Sequence, residues 1–457
     1  MDRYQFNWVA PPAKTLIIAI DFGTTYSGAA WRWSNRDSDP ETTHVVTRWP
    51  TDNTEEPCMN PRVPTEIFYD RDTVHWGYNI PECVDPIKWF KFLLLDETDM
   101  PDHLKTSTFV KDARTKTRNT HKEPYMVIGD YLKQLYGHAI REFRRHDPIT
   151  DREFARTPSK LVLTIPSTWK DYAKERMRIA VEHSQVIPPD RSRINQIEFL
   201  SESEAALSAV MTHPLMGSYG SRRAITVTIV DCGGGTMDMA SYRIRTLEMG
   251  LHNLYPEGIK EQGKAASELS GSIFLDQAYA KLVRKTIGSQ AWKSLTRLSV
   301  REIMDLWEFR IKCKFNGGGG PWSTTQRSIP PVQSNQIRDL FDSFLGKTIR
   351  SFGNHFDQAR WNGWWYPQCV VLVGGLGRNP YILNFIKNLI YDNFKENIKR
   401  DQGEADFEKV LLCCYQLESH DSLTAVCRGA AEYGTLVPQP KFDEEWNIRG
   451  GPSMCLP

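Results

Sequence analysis

The chain has 457 residues, of which 40% are hydrophobic and 25% charged, with a net charge of +1. That is the composition of a globular protein with two domains or one large bilobed domain, and the balanced charge gives no reason to expect nucleic acid or an acidic membrane as a partner. No apolar run approaches a membrane span, Met1–Ala13 carries no apolar signal core, and the nine cysteines lack Cys-x-x-Cys spacing. A cytoplasmic or nuclear protein with reduced thiols and no structural metal is the expectation.

Residues 1–14 read as a polar tail. Leu16-Ile17-Ile18-Ala19-Ile20 is a dense apolar strand ending in Asp21-Phe22-Gly23-Thr24-Thr25-Tyr26-Ser27-Gly28, and Ala29–Trp33 reads as the returning strand. A polar, turn-rich stretch follows, then a small hairpin over Ile67–Gly77. Trp89–Leu95 is apolar enough for the core, with Lys88 and Lys91 at its flanks. Asp99–Lys122, charged and rich in Thr, reads as a surface loop. The spacing of Ile128, Leu132, Leu135, Ile140 and Phe143 predicts a helix over Met126–His146, with Arg141, Arg144 and Arg145 on its solvated face. Lys160–Pro166 is a strand, Trp169–Ser184 an amphipathic helix, and Gln196–Leu200 a strand running into a helix from Glu202 to Met211. A carboxylate at such a junction stands where open α/β sheets bind ligands, though an acidic first turn is also favoured by the helix dipole alone.

The Gly/Ser-rich Met216–Arg222 marks the boundary between two halves, residues 15–220 and 221–434. The second half opens as the first does. Ala224–Val230 is apolar and ends in Asp231-Cys232-Gly233-Gly234-Gly235-Thr236-Met237-Asp238, followed by an alternating strand to Ile244. Adjacent glycines allow a tight turn and leave main-chain N–H groups open to an anion, and two aspartates are hard oxygen ligands suited to Mg²⁺ or its waters. Two such hairpins, half a chain apart, imply a duplicated fold whose halves offer their turns to one phosphate-bearing ligand. Neither is a P-loop, because no Gly-Lys-Ser/Thr follows and no helix starts there.

Strands and a turn are expected over Thr246–Lys260, and helices over Gly271–Ile287, Val300–Phe315 and Gln333–Trp361. Gly317–Gly320 reads as a connector and the aromatic run Trp361–Tyr366 as packing. Cys369–Val373 is a buried strand. The turn Gly374-Gly375-Leu376-Gly377-Arg378-Asn379-Pro380 and a helix over Tyr381–Phe394 follow, a strand–glycine–helix order that lets an anionic or flat group approach the backbone. A last helix, Asp421–Tyr433, carries small residues for close packing, and residues 435–457 form a tail.

The order of these segments resembles the actin, sugar-kinase and heat-shock ATPase superfamily, and their wording resembles the nucleotide-binding domain of the 70-kDa heat shock protein family. Asp21–Ser27 is similar to its first phosphate motif, Asp231–Asp238 to its second and Gly374–Pro380 to its adenosine motif, with Ile165-Pro166-Ser167, Glu202–Ala206 and Asp421 with Gly429-Ala430-Ala431 matching its connecting segments. The likeness spans Thr15–Gly434. It implies an α/β actin-like ATPase fold, duplicated and bilobed around a central nucleotide cleft, with the last helix (421–434) packing back on the first lobe.

The resemblance also implies roles. ATP or ADP phosphates would be held by Gly23, Thr24, Thr25, Tyr26, Gly233, Gly234, Gly235 and Thr236, and Mg²⁺, largely through water, by Asp21 and Asp231. Glu202, Asp231, Thr236 and Asp238 would orient the attacking water, while Gly374, Gly375, Arg378, Glu308 and Lys312 would line the adenosine side. Two departures temper this. The family's lysine near the γ-phosphate has no counterpart in Gly77–Pro81; Lys88 or Lys91 could substitute, but both are expected to flank the apolar run instead, so hydrolysis is expected to be slow or absent. The short stretch after Gly434 gives no expectation of the family's peptide-binding domain. The implied function is an ATP-binding, slowly hydrolysing chaperone-like protein that uses Mg-ATP to drive lobe closure. Alternatives are an interaction module without useful turnover and a small-molecule kinase of the same superfamily. Protein co-factors or clients are the implied partners; the sequence names none.

Overall fold

Thr15–Ile20 is buried throughout, the pattern of a strand covered on both faces. It forms the centre of the first sheet in the structure, a computed structural model that describes residues 14–34, 43–52, 56–186, 194–214, 216, 224–244, 259–269, 271–322, 331–361, 367–402 and 414–435. Strand β1 (Thr15–Asp21) pairs antiparallel with β2 (Tyr26–Ser34) and parallel with β3 (Ser159–Ile165), which pairs parallel with β4 (Ile194–Ser201). The short strand His44–Val45 continues the sheet beyond β2.

The second sheet repeats this order. Strand β5 (Ile225–Cys232) pairs antiparallel with β6 (Met237–Ile244), and β6 with β7 (Ile259–Glu268). On its other side β5 pairs parallel with β8 (Cys369–Val373), and β8 with β9 (Cys414–Gln416). The helices repeat too. Helix α2 (Asp171–Ser184) joins β3 to β4 as helix α7 (Pro380–Gln402) leads from β8 towards β9, and α3 (Glu202–Thr212) follows β4 as α8 (Ser419–Gly434) follows β9. The duplication read from two hairpins therefore extends through whole α/β halves.

Each half has its own core. Helix α1 (Pro124–His146) buries Ile128, Leu132, Leu135 and Phe143 against the first sheet, with Ile140 half-buried beside them. Helices α4 (Ser272–Ile287), α5 (Arg297–Leu306) and α6 (Ser334–Trp361) cover the second sheet. A third core lies between the sheets, where Ile17, Ala19 and Val162 meet Val227, Ile229 and Val371 through the small residues of α3 and α8.

Three local expectations are corrected. Asp99–Lys122 is not a loop: it holds helices Asp102–Lys105 and Thr108–Asn119, the latter capped by Ser107 and burying Val110, Ala113 and Thr117. Those three positions recur at helical spacing, so Thr108 and Thr115, which suggested a loop, sit on the exposed face of a helix whose other face, Thr117 included, is packed. Val300–Phe315 is not one regular helix, because α5 passes into a π-helical turn, Trp307–Lys312. The helix expected over Tyr381–Phe394 continues to Gln402. The proposed boundary between the halves, most of the strands expected over Thr246–Lys260, the run 362–366 and both tails lie outside the described residues. Among the described residues, no helix is long and apolar enough to cross a membrane.

Candidate functional site

The two hairpin turns face each other across a cleft. A side chain added at Gly234 would overlap Thr25, and one at Gly235 would overlap Thr24, so glycine here is a condition of the approach between loops. Helix α4 fixes the second turn from behind. The N–H groups of Gly271, Ser272 and Ile273 donate to the carbonyls of Gly235, Gly233 and Gly234 at 3.0, 3.1 and 3.0 Å. The helix thereby satisfies its own first donors and holds the loop's carbonyls away from the cleft. No backbone acceptor among the described residues takes the N–H of Gly234 or Gly235.

Asp231 and Asp238 stand directly opposite one another in the β5–β6 ladder, a like-charge pairing that a sheet ordinarily avoids. Both are buried, at 6% and 1% exposure. Burial, followed by the charge of Glu202, pushes the Asp21 and Asp238 carboxyls up to about 6 from the ordinary 3.8, and holds Asp231 well above the ordinary value as well. Neither Asp238 oxygen meets a donor in good hydrogen-bonding geometry, although the Thr236 and Ser267 hydroxyls lower its pKa slightly. Asp21 accepts from the Thr164 hydroxyl at 3.1 Å.

Lys91 is the cation among these carboxylates. Its Nζ lies 2.8 Å from Glu202 Oε1, and the lysine is only 4% exposed. This corrects the expectation that the cleft lacks the lysine and that Lys91 merely flanks an apolar run. Trp89 takes the left-handed conformation (φ 56°), and Phe90–Leu94 forms a 3₁₀ turn. Successive side chains then diverge by about 120°. Phe90 packs with Phe22 and Tyr131, Phe92 faces Gly235, and Lys91 enters the cleft past the rings of Phe22 and Trp169. One signal was available in the sequence: a lysine inside an apolar run is rarely buried without a carboxylate partner.

The phosphate-loop end forms a cavity lined by Asp21, Gly23, Thr24, Thr25, Tyr26, Lys91, Glu202, Asp231, Gly233, Gly234, Gly235, Thr236 and Gly374, with Ser422 from α8. The site residues expected from the two hairpins are thus brought together, save Asp238, which is buried behind the wall. Gly374 has φ 82°, and a side chain there would stand 2.6 Å from Asp231 Oδ1. Its N–H and C=O both bond Ser422, the N–H to the backbone carbonyl and the C=O to the hydroxyl, each at 3.1 Å.

A second, wider cavity continues from Thr24, Thr25 and Tyr26 to Glu308, Lys312, Gly375 and Leu376. Glu308 and Lys312 lie on the π-helical turn, one of the rare helix irregularities that gather at binding sites. The Lys312 ammonium is held by Asp276 at 3.0 Å and by Glu308. Asn379 ties this wall to the glycine turn, donating to the carbonyls of Lys312 and Phe315 at 2.7 and 3.1 Å. Arg378 follows Gly375 on that turn but lines neither cavity. Sequence reasoning did not single out Asp276, Asn379 or Ser422.

These residues fit a hydrated divalent cation with a polyphosphate. Four carboxylates, Asp21, Glu202, Asp231 and Asp238, share one lysine, and the opposing loops offer hydroxyls and free N–H groups. Among the described residues, no three candidate ligands converge closely enough to hold a bare ion, so the cation would be held through water.

A duplicated α/β fold whose paired hairpin turns close on one carboxylate-lined cleft is the actin-like ATPase fold. Within that class the chain is similar to divergent heat-shock-protein-70-like proteins. It is 26% identical to human Heat shock 70 kDa protein 12A over 326 residues, covering 60% of this chain and 46% of that protein. It is 25% identical to the mouse 12A protein over 326 residues (60% and 46%) and 23% identical to human Heat shock 70 kDa protein 12B over 347 residues (64% and 48%). The chain spans about half the length of these curated relatives. No protein-family model matches it.

Proposed function

We propose that this chain binds Mg-ATP in the cleft and hydrolyses it slowly, using the nucleotide to draw its two halves together in the manner of a heat-shock-type ATPase. The observation that carries this reading is the facing pair of turns with Lys91, Glu202 and Asp238 gathered behind them. When bound, Mg-ATP supplies the phosphoanhydride bond and a divalent charge. The Thr24, Thr25 and Thr236 hydroxyls and the loop N–H groups would hold phosphate oxygens. Asp21 and Asp231 would accept hydrogen bonds from the cation's waters. Glu202 and Thr236 would orient the attacking water, and Asp238, behind the Thr236 hydroxyl, would take up its proton through that hydroxyl. Lys91 presents positive charge to the developing anion, which supports turnover. Its commitment to Glu202 supports a slow rate, because that contact must loosen before the ammonium serves the phosphate. Partners, clients and a cytoplasmic or nuclear setting belong to the same proposal and rest on the resemblance alone.

Calorimetric titration with Mg-ATP, and phosphate release with and without added sugars, test the reading. Absence of binding at millimolar ATP overturns it, and sugar-dependent ATP consumption replaces it with a kinase. Asp238→Asn sharpens the test. It removes one of two opposed buried carboxylates, so the ligand-free protein should melt a few degrees higher. Phosphate release should fall by about 10²-fold or more, the usual contribution of a positioned base. Release within threefold of the parent removes Asp238 from the mechanism.

The raised carboxyls also predict a pH dependence. Below about 6, Asp21, which would hold the cation's waters, carries a proton that a bound cation must displace. Mg-ATP affinity should therefore fall between pH 7.5 and 5.5, by about tenfold per pH unit below the pKa for each proton displaced. Calorimetry in buffers of different ionisation heat reads the proton release directly. Stability of the ligand-free protein should move the opposite way. These groups bind protons more tightly folded than unfolded, so their contribution declines as pH rises from about 4 through 6.

A further inference from the structure

Arg62 lines both the phosphate-loop cavity and the wider cavity beside it. Its guanidinium stacks on the Tyr26 ring, 5.0 Å from the centroid. Nη2 lies where a side chain on Gly375 would come within 3.1 Å. The backbone is tethered on both sides: the Arg62 N–H donates to Asn60 Oδ1 at 3.1 Å, and the Tyr78 hydroxyl donates to the Arg62 carbonyl at 3.3 Å. The guanidinium is deep in the protein although the residue still presents surface to the cavities.

What Arg62 lacks is a counterion. Among the described residues, no carboxylate forms an ion pair with it, and its solvent-shielded Nε meets no acceptor. Burial lowers its pKa, and the acidic groups around it, Tyr26 first, then Asp21 and Glu308, oppose this without an ion-pair contact. Of its cationic neighbours, Lys91 is neutralised by Glu202 and Lys312 by Asp276 and Glu308, while Arg378 adds positive charge nearby. A buried guanidinium left without an anion is costly, and its planar fork suits phosphate oxygens better than an ammonium does. The stacked, tethered side chain is preorganised, so little ordering remains to oppose binding.

We propose that Arg62 is the phosphate-recognition residue at the junction of the two cavities and makes the cleft selective for nucleoside di- and triphosphates over the nucleoside. The proposal rests on the nucleotide reading of the cleft. Loss of a charge-assisted contact of this kind weakens binding by about 10–100-fold.

The experiment compares ATP, ADP and adenosine by calorimetry, with Mg²⁺, on the parent chain and on Arg62→Gln and Arg62→Lys. Arg62→Gln should lose about 10–100-fold affinity for ATP and ADP while adenosine changes by no more than about threefold, and Arg62→Lys should recover part of the loss. Ligand-free Arg62→Gln should melt no lower than the parent, since an uncompensated charge is removed. Pyrophosphate should raise the melting temperature of the parent and not of Arg62→Gln. Equal losses for adenosine and ATP, or a lower melting temperature without selective loss, mean that Arg62 is structural and overturn the proposal. Tight ATP binding by Arg62→Gln overturns it while leaving the nucleotide reading intact. Failure of the parent to bind ATP overturns both.

Discussion

Lys91→Ala is expected to destabilise the protein by about 3–5 kcal/mol and to lower phosphate release by about 10²–10³-fold. The two effects share a cause. Lys91 is the partner of Glu202 at 2.8 Å, and Asp21, Asp231 and Asp238 all feel its charge. Removing it leaves a buried carboxylate cluster without its lysine, where the attraction lost exceeds anything that repacking supplies. The catalytic loss follows because, among the described residues, Lys91 is the lysine that lines the phosphate-loop cavity, while the other cation there, Arg62, sits at the junction with the wider cavity. A double variant separates the two. Lys91→Met with Glu202→Gln removes the charges together and replaces them with groups of similar volume, so most of the stability should return. Turnover should not. Denaturant midpoints and phosphate release read the two quantities independently. A Lys91→Met protein that hydrolyses ATP within threefold of the parent rate would show that the lysine serves packing and charge balance alone.

Gly429→Ala is the second substitution with a large expected effect. A side chain at Gly429 would overlap the Ala205 carbonyl oxygen and stand 2.8 Å from the Ala209 nitrogen. Helices α3 and α8 must separate to admit it. Overpacking of this kind costs about 1–3 kcal/mol, and alanine's better helix propensity returns no more than about 1 kcal/mol. The damage should reach the cleft as well, because Glu202 opens α3 and Ser422 sits in the first turn of α8. Lower ATP affinity together with a lower melting temperature is expected. Gly346 and Gly353 provide the control. They lie within α6, and a side chain at either meets nothing within 4 Å. Alanine there should stabilise by about 0.5–1 kcal/mol. If Gly429→Ala behaves like these, the helices are not in the tight contact described.

The elements that act through their neighbours in sequence were legible from the chain alone. Each hairpin carries its own pattern of apolar strand, aspartate, glycines and returning strand, so the fold class and most of the cleft wall followed from those segments. What escaped was built from distant parts. Lys91 reaches the cleft only because a left-handed Trp89 and a 3₁₀ turn redirect it, and local periodicity carries no sign of that. The α4 N-terminus clamps the glycine turn from 38 positions away along the chain, counted from Gly233 to Gly271. Arg62 reads as one more polar residue in a turn-rich stretch until Tyr26 and Gly375 are seen around it. Helix Thr108–Asn119 was missed because its threonines outweighed the spacing of three small or apolar positions.

Helix α8 has a consequence for how the protein is made. It packs on α3, on β1, β2 and β3 of the first sheet and on β8 of the second, with Gly434 against Ile17 and Val162. During synthesis the first sheet emerges well before the helix that covers its inner face. At 5–20 residues per second, α8 leaves the ribosome on the order of 10–50 s after β4. For that interval Ile17, Ala19 and Val162 lack their native cover, and the nascent chain presents an apolar surface that holding factors or premature association can capture. The late arrival of α8 makes completion of the central core a whole-chain event, even though the first half has a separate outer core of its own.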